Sequence, residues 1–213
     1  MNRLMTVGLV LALLAAAGVM FAQDHPEHPE KKDNKPAKTE EKKAERPEHP
    51  TPPPQSKQHA WLNQLVGEWE YTGEMNMGEG MDPVTFNGIE SGRPVGDFWT
   101  ISENKSTDEN SKFIGVLTLG YSAEKGHYIG TWVDSLNDYM WNFTGELSDD
   151  KKSLALIARG PSMITGELCN FQEVITIVDD NHKTYTSSIQ NEDGSWTQIW
   201  TRRSVRLPTS IRE

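Results

Sequence analysis

Apolar and polar residues alternate with a period of two along most of the chain after residue 68. Side chains of a β-strand point alternately to the two faces of a sheet, so this alternation predicts half-buried strands. Just before it, the spacing of Trp61, Leu62 and Leu65 predicts one short helix. The first strand is predicted in WEYTGEMNM, and its apolar face carries Trp69, Tyr71, Gly73, Met75 and Met77.

The alternation recurs nine more times between short polar turns that contain Gly, Asp or Asn. No helical pattern of about 10 to 15 residues separates these segments, which disfavours a parallel α/β sheet. Antiparallel strands in this number form a sandwich or a closed up-and-down barrel, and closure removes exposed strand edges. We therefore predict an all-β fold, an antiparallel up-and-down barrel of about ten strands (calycin-like) with one short N-terminal helix. The further strands are predicted near residues 84–91, 98–103, 113–121, 127–134, 139–147, 153–158, 170–178, 184–190 and 195–205.

Gly67 and Trp69 stand where the predicted helix gives way to the first strand. The glycine lets the chain turn sharply, and the indole is large enough to plug one end of a barrel. In the closing segment TQIWTRRSVR, Trp200 and Arg202 fall on the same strand face. We therefore expect Arg202, rather than Arg203, to stack on Trp69 and complete the closure of the barrel. In the alternative interpretation, Trp69 is an ordinary core residue and Arg202 an ordinary surface charge.

The first 57 residues differ in composition from the rest of the chain. Residues 1–22 combine a positive start at Arg3 with an apolar core, which predicts a cleaved signal peptide, with a membrane anchor as the alternative. Residues 23–57 are rich in Pro, Glu and Lys and predict a disordered linker. We therefore expect a β-barrel domain over residues 58–207, a C-terminal tail over 208–213, and a bacterial protein that is periplasmic or secreted.

The predicted barrel region is strongly acidic. Residues 58–213 hold 12 Lys and Arg against 23 Asp and Glu, a net charge of −11. Such a domain is repelled by phosphate backbones and by anionic lipid surfaces, so we expect no nucleic-acid partner. No second apolar stretch predicts a membrane span after signal cleavage. The single cysteine, Cys169, excludes an intramolecular disulfide, so stability must come from the core.

Three segments resemble a known protein family: HAWLNQLVGEWEY, FIGVLTLGYSAEKGHYIGTWVDS and the closing IWTRR. Together they are similar to the bacterial DUF1579 family, whose function is uncharacterised. The Gly-X-Trp start with a late strand-borne Arg also resembles the calycin barrels, the group of lipocalins and fatty-acid-binding proteins. The resemblance runs from about His59 to Arg202. It implies a barrel-like, exported protein and supplies no established catalytic residues.

If the barrel forms, alternate side chains point inward, and many of these are aromatic. An apolar cavity with a few polar anchors is the usual form of a small-molecule site, although plain packing of aromatics is the alternative. The candidate ligand-binding residues are Trp132, Trp141 and Tyr185 as aromatic lining and Glu90, Arg93 and Asp134 as polar anchors.

These residues favour a domain that binds a small apolar or amphipathic ligand inside the barrel. Two alternatives stay open: a small-molecule enzyme that uses Asp134 in acid–base chemistry, and a filled structural or interaction domain. The sequence contains no HExxH or CxxC metal motif, no Gly-X-Ser-X-Gly elbow and no phosphate-binding glycine loop. We therefore predict no catalytic residues, no metal and no cofactor, and we consider an enzyme the less favoured hypothesis.

Overall fold

The structure is a computed structural model that describes residues 52–78, 80–162 and 166–208. The predicted signal peptide and most of the predicted linker lie outside the described residues. One short helix, α1 (Lys57–Leu62), continues into a 3₁₀ turn at Asn63–Leu65. The strands that follow are β1 (Gly67–Met75), β2 (Val84–Val95), β3 (Trp99–Ser106), β4 (Ile114–Ser122), β5 (His127–Asp134), β6 (Trp141–Leu147), β7 (Ser153–Pro161), β8 (Leu168–Asp179), β9 (His182–Gln190) and β10 (Trp196–Arg206).

The ten strands form one closed antiparallel barrel in which each strand pairs with its neighbours in sequence. Closure is made by β1, which pairs with β2 on one side and with β10 on the other. In the β1–β10 pairing, Trp69 lies opposite Arg206 and Met75 lies opposite Trp200. The prediction of an all-β, up-and-down barrel of ten strands with one short helix is confirmed.

The two ends of the barrel are built differently. The helix and the 3₁₀ turn pack at the end where β1 begins, and their residues Trp61, Leu62 and Leu65 are buried in the core. We call this the helix end. At the opposite end, which we call the mouth end, the strands are joined by loops over residues 76–83, 107–113, 135–140, 162–167 and 191–195.

Hydrogen bonds hold α1 on the helix end. Ser56 and His59 form a reciprocal capping box at its first turn, which satisfies backbone N–H groups that a helix leaves free. The other ring nitrogen of His59 lies 2.9 Å from the carbonyl oxygen of Tyr121. Trp61 donates to the carbonyl of Lys151, and the Tyr128 hydroxyl donates to the carbonyl of Gln58. These contacts make the helix a fixed cover rather than a loose extension.

The barrel interior has an apolar side and a polar side. The apolar side comes from β4 to β8, where burial of aliphatic and aromatic side chains provides the main stabilising free energy. The polar side comes from β2, β3, β9 and β10, whose inward positions carry charged or hydroxyl groups. The buried apolar residues of β4 to β8 are Leu117, Leu119, Tyr128, Phe143, Leu154, Leu156, Ala158, Phe171 and Ile175.

In the part of the chain that the structure describes, no helix has the length and apolar character of a membrane span.

Candidate functional site

A buried ionic cluster lies inside the barrel. Glu90 on β2, 3 % exposed, receives the Lys183 Nζ at 2.8 Å on one carboxylate oxygen and the Arg202 Nη2 at 2.6 Å on the other. Burial acts to raise the pKa of Glu90, but the charges of Lys183 and Arg202 outweigh burial and hold that pKa below its ordinary value. Burial lowers the pKa of Lys183 to about 8, against the opposing attraction of Glu90. Since both carboxylate oxygens are paired, Glu90 orients the two cations.

Arg202 is the hub of this cluster. Its Nη1 donates to the side-chain oxygen of Asn104 at 2.7 Å, and its Nη2 donates to Glu90. The guanidinium carbon lies 4.7 Å from the ring centre of Tyr71 and 4.9 Å from that of Tyr185. Two aromatic rings and two hydrogen-bonded partners therefore fix the guanidinium, while its Nε has no hydrogen-bond partner among the described residues.

Glu173 on β8 is the second buried carboxyl group of the interior. Its Oε1 accepts a hydrogen bond of 2.6 Å from the Ser187 hydroxyl. Burial raises the pKa of Glu173 to about 8, although the Ser187 hydrogen bond and the charge of Arg202 oppose the rise. The group is therefore mostly protonated at neutral pH. The Tyr185 side chain lies close enough to interact with the same carboxyl group, while Oε2 has no partner of full hydrogen-bond geometry among the described residues.

Three buried polar atoms on the inner surface thus lack hydrogen-bond partners within the described part of the chain: Glu173 Oε2, Arg202 Nε and Ser204 Oγ. They belong to β8 and β10, which both pair with β9, so the register brings them to the same side of the barrel. We call these three residues the polar centre. A buried polar group without a partner costs about 1–3 kcal/mol, so this arrangement is expensive unless water or a ligand completes it.

Aromatic side chains line the barrel between the polar centre and the mouth end. Trp132, Trp141 and Trp200, which we call the mouth aromatics, are each half-buried. Trp200 stacks on Tyr185 with ring centres 5.1 Å apart and planes 11° apart. Trp141 meets Phe171 edge to face at 4.8 Å. These three indoles keep part of their apolar surface exposed.

Local sequence positions two of these indoles. Trp141 lies against Gly160 of β7, so closely that a Cβ at that position would overlap the ring. Trp132 donates through its Nε1 to Asp134 at 2.7 Å and stacks on Phe113. The absence of a side chain at Gly160 fixes the orientation of the Trp141 ring, and the hydrogen bond to Asp134 fixes that of the Trp132 ring.

The predicted ligand-binding residues fall into three groups. Glu90 and Tyr185 are buried beside Arg202, and Trp132 and Trp141 are at the mouth end. Arg93 is exposed on β2, beyond the buried Gly92, so it does not join the interior cluster.

Asp134, the third predicted anchor, ends β5 and organises the turn that follows. Its carboxylate oxygens accept hydrogen bonds from the Trp132 indole, the Leu136 backbone N–H and the Asn137 side chain. A carboxylate occupied in this way holds a turn, and the acid–base role considered for Asp134 has no support in its geometry.

The prediction that Arg202 covers Trp69 is wrong. Arg206, two inward positions further along β10, lies opposite Trp69 and places its guanidinium carbon 4.0 Å from the centre of the indole. Lys183 Nζ lies 4.1 Å from the same ring. Gly67 has φ +124°, and a Cβ there would overlap the Arg206 guanidinium. The closure residues Gly67 and Trp69 therefore act with Arg206, whereas Arg202 belongs to the ionic cluster.

Four important residues were missed in the sequence: Glu173, Lys183, Ser204 and Arg206. Their spacing along the strands could have identified them. Each lies an even number of residues from a recognisable core residue and therefore shares its inward face. Glu173 lies two residues after Phe171, and Lys183 lies two residues before Tyr185. A charged residue at an inward position between apolar ones indicates an interior polar site.

Two cavities open at the helix end, away from the polar centre. One of about 510 Å³ lies between α1 and the 148–152 turn, and one of about 230 Å³ lies between Pro53, Phe98 and Tyr121. Neither is lined by the unpartnered buried atoms, and we therefore place the candidate site inside the barrel. Among the described residues, no group of three His, Cys, Asp or Glu side chains is arranged to hold a metal ion.

Comparison with known proteins supports the fold. The chain matches the family described as "Protein of unknown function (DUF1579)" over residues 54–206. The crystal structure of Rv2717c from M. tuberculosis is similar, with 11 % identity and a TM-score of 0.51, covering 73 % of this chain and all of that one. A DUF3598-family protein of unknown function from Nostoc punctiforme aligns with 11 % identity and a TM-score of 0.43, covering 68 % of this chain and 49 % of that one. Comparison with curated proteins finds no match.

Proposed function

We propose that this chain, which belongs to the DUF1579 family of proteins of unknown function, binds a small amphipathic ligand inside its barrel. The observation that carries the proposal is the polar centre, where Glu173 Oε2, Arg202 Nε and Ser204 Oγ are buried without partners. A ligand head group at this place would satisfy polar atoms whose burial is otherwise unfavourable. The mouth aromatics would then contact the apolar part of the same ligand.

The chemistry of the polar centre indicates the kind of head group. Arg202 Nε carries a hydrogen and can only donate. Because Oε1 of Glu173 accepts from Ser187, the proton held by this carboxyl group at neutral pH belongs on Oε2, which then also donates. The Ser204 hydroxyl can donate as well. Donors on this side of the interior fit an oxygen acceptor, such as a carbonyl or carboxylate, better than an amine.

We also propose that the protein is exported, on the strength of the signal-peptide pattern in residues 1–22. The test is the mass of the mature chain purified from a bacterial host, together with the cell fraction that contains it. A full-length chain retained in the cytoplasm would contradict export and leave the binding proposal intact.

Displacement of a fluorescent hydrophobic dye tests ligand binding. The competitors share one alkyl chain and differ in head group: a carboxylate, a methyl ketone, a primary amine, or none. We expect saturable displacement, with the carboxylate and ketone about tenfold more effective than the amine. Absence of saturable binding for all four compounds would refute the proposal.

Two tryptophan variants locate the site. Trp200→Ala removes a mouth aromatic and is expected to weaken binding about tenfold. Trp99→Ala removes an exposed tryptophan at the helix end and is expected to leave the affinity unchanged. Equal losses in both variants would place the dye outside the barrel.

A further inference from the structure

The outer surface of the mouth end is more apolar than the rest of the described molecule. Of the 14 exposed large hydrophobic residues in the described ranges, nine lie on the mouth-end loops or within two residues of them. Three of these nine are methionines, whose flexible side chains suit surfaces that adapt to a protein partner. The nine are Met77, Met81, Val84, Ile114, Val133, Leu136, Met140, Leu168 and Trp196.

The same end of the barrel is also the more acidic one. The described parts of its five loops carry seven acidic residues and one basic residue, Lys112. The four helix-end turns, over residues 96–98, 123–126, 148–152 and 180–181, carry five acidic and three basic residues. Apolar side chains and negative charge are therefore concentrated on one surface, which we call the mouth surface. Its acidic residues are Asp82, Asp108, Glu109, Asp138, Glu167, Glu192 and Asp193.

We propose that the mouth surface docks a basic partner protein that presents apolar side chains among lysines and arginines. Charge complementarity selects this occupant, because opposite charges steer association and fix orientation while the apolar contacts supply affinity. A second copy of this chain, docked mouth to mouth, would oppose two acidic surfaces. Anionic lipid headgroups carry a net negative charge, and the acidic loops oppose their approach.

The position of the mouth surface gives such docking a consequence. It lies at the same end of the barrel as the mouth aromatics, so a docked partner covers this end. The residues concerned lie in loops or on outward strand positions, except Val84, which has the inward parity of Glu90. The proposed ligand contacts other residues, deeper in the barrel. The two proposals therefore stand on different side chains, and either can fail alone.

Binding of two synthetic peptides to the full-length protein tests the docking proposal. Both peptides carry the same Leu and Met residues on one helical face, and the other face is rich in Lys in one peptide and in Glu in its match. Fluorescence anisotropy is expected to show at least about tenfold tighter binding of the Lys peptide, weakening as salt is raised. Equal affinity for the two peptides would overturn the proposal.

Matched variants place the contact on the molecule. Leu136→Ser with Met140→Ser removes apolar contacts, and Asp82→Lys with Glu192→Lys reverses charge. Each pair is expected to weaken Lys-peptide binding by about fivefold or more. The controls at the helix end, Val178→Ser with Val205→Ser and Glu124→Lys with Asp180→Lys, are expected to change it less than about twofold.

Two further outcomes would overturn the proposal. Equal loss in the two charge-reversal pairs would show that only the net charge of the protein matters, and equal loss in the two apolar pairs would show that the mouth surface is not the contact. Co-sedimentation with phosphatidylcholine vesicles that depends on Leu136 and Met140, without preference for the Lys peptide, would identify the mouth surface as a lipid-binding one. Dye displacement inside the barrel, measured on the same variants, reports separately whether the interior site is intact.

Discussion

Arg206 lies directly opposite Trp69 where the last strand pairs with the first, with its guanidinium carbon 4.0 Å from the centre of the indole ring. The same guanidinium donates to the backbone carbonyls of Gln64, Val66 and Asp180. It therefore connects the chain just before β1, the β8–β9 turn and the end of β10. One side chain ties together three segments at the helix end of the barrel.

This connection predicts the effect of Arg206→Gln. The variant loses the contact with the Trp69 ring and leaves carbonyl groups to be satisfied by water, so we expect the free energy of unfolding to fall by about 2 kcal/mol. Urea denaturation followed by tryptophan fluorescence measures it. Arg203→Gln removes an exposed charge from the same strand and should stay within about 0.5 kcal/mol of the parent. Equal effects of the two variants would contradict the role assigned to Arg206.

Gly67→Ala tests the same junction from the other side. At φ +124° an alanine is strained, and its Cβ would displace the Arg206 guanidinium, so we expect a loss of about 2–3 kcal/mol in the free energy of unfolding. Adding Arg206→Ala removes the overlap but not the backbone strain. In the double variant, Gly67→Ala should therefore cost about 1 kcal/mol less than it does alone. Simple additivity would show that the overlap contributes nothing.

The fold could be predicted because its signals are local. Period-two alternation and short polar turns identify each strand, and a chain of successive hairpins leaves few alternatives to a meander that closes on itself. The start of β1 was recognisable for the same reason, since Gly67 and Trp69 are adjacent to the residues that decide their conformation. Closure between β1 and β10 was a geometric inference, and the observed pairing confirms it.

The partner of Trp69 could not be predicted, because register between distant strands is not encoded in a local pattern. Alternation decides which face a residue occupies, and both Arg202 and Arg206 occupy the inner face of β10. Which of them lies opposite Trp69 depends on the register of β1 against β10, a contact between residues more than 100 positions apart. The face occupied by Arg93, by contrast, could have been predicted from the sequence. Arg93 stands an odd number of positions from Glu90, so the two side chains point to opposite faces of the strand.

The interior ionic cluster depends on register across several strands. Glu90, Lys183 and Arg202 meet because β2, β1, β10 and β9 are consecutive around the closed barrel. Each residue alone is an inward-facing charge with no visible partner in the sequence. Only the closed sheet shows that the one carboxylate pairs with both cations.

Glu173 predicts an unusual pH dependence of stability. Its pKa is raised from 4.5 to about 8 in the folded protein, with burial as the main cause. Between these values the folded chain keeps a proton that the unfolded chain has lost, so this group lowers the free energy of unfolding as the pH rises from about 5 to 8. Glu173→Gln keeps the shape and removes the titration, so the stability of the parent relative to the variant should decline over that range by more than about 1 kcal/mol.

The measurement is a series of urea denaturations at several pH values below 8. This limit excludes Lys183, whose lowered pKa of about 8 acts in the opposite direction and only at higher pH. Glu74→Gln, which removes an exposed carboxyl group from β1, is the control for loss of negative charge. A constant difference between the parent and Glu173→Gln across the range would show that Glu173 titrates as an ordinary exposed carboxyl group does.

Ser204→Ala separates stability from binding at the polar centre. The Ser204 hydroxyl is buried without a partner, so its removal should raise the free energy of unfolding of the ligand-free protein by about 1 kcal/mol. If that hydroxyl receives the ligand head group, the same variant should bind the best dye competitor about fivefold more weakly. Thermal denaturation and dye displacement on one preparation measure both quantities.

Ser188→Ala, on the half-buried face of β9, is the control for loss of a strand hydroxyl. A Ser204→Ala protein that is more stable and binds as tightly as the parent would place the head group away from Ser204, whereas a less stable one would show that the hydroxyl already has a partner.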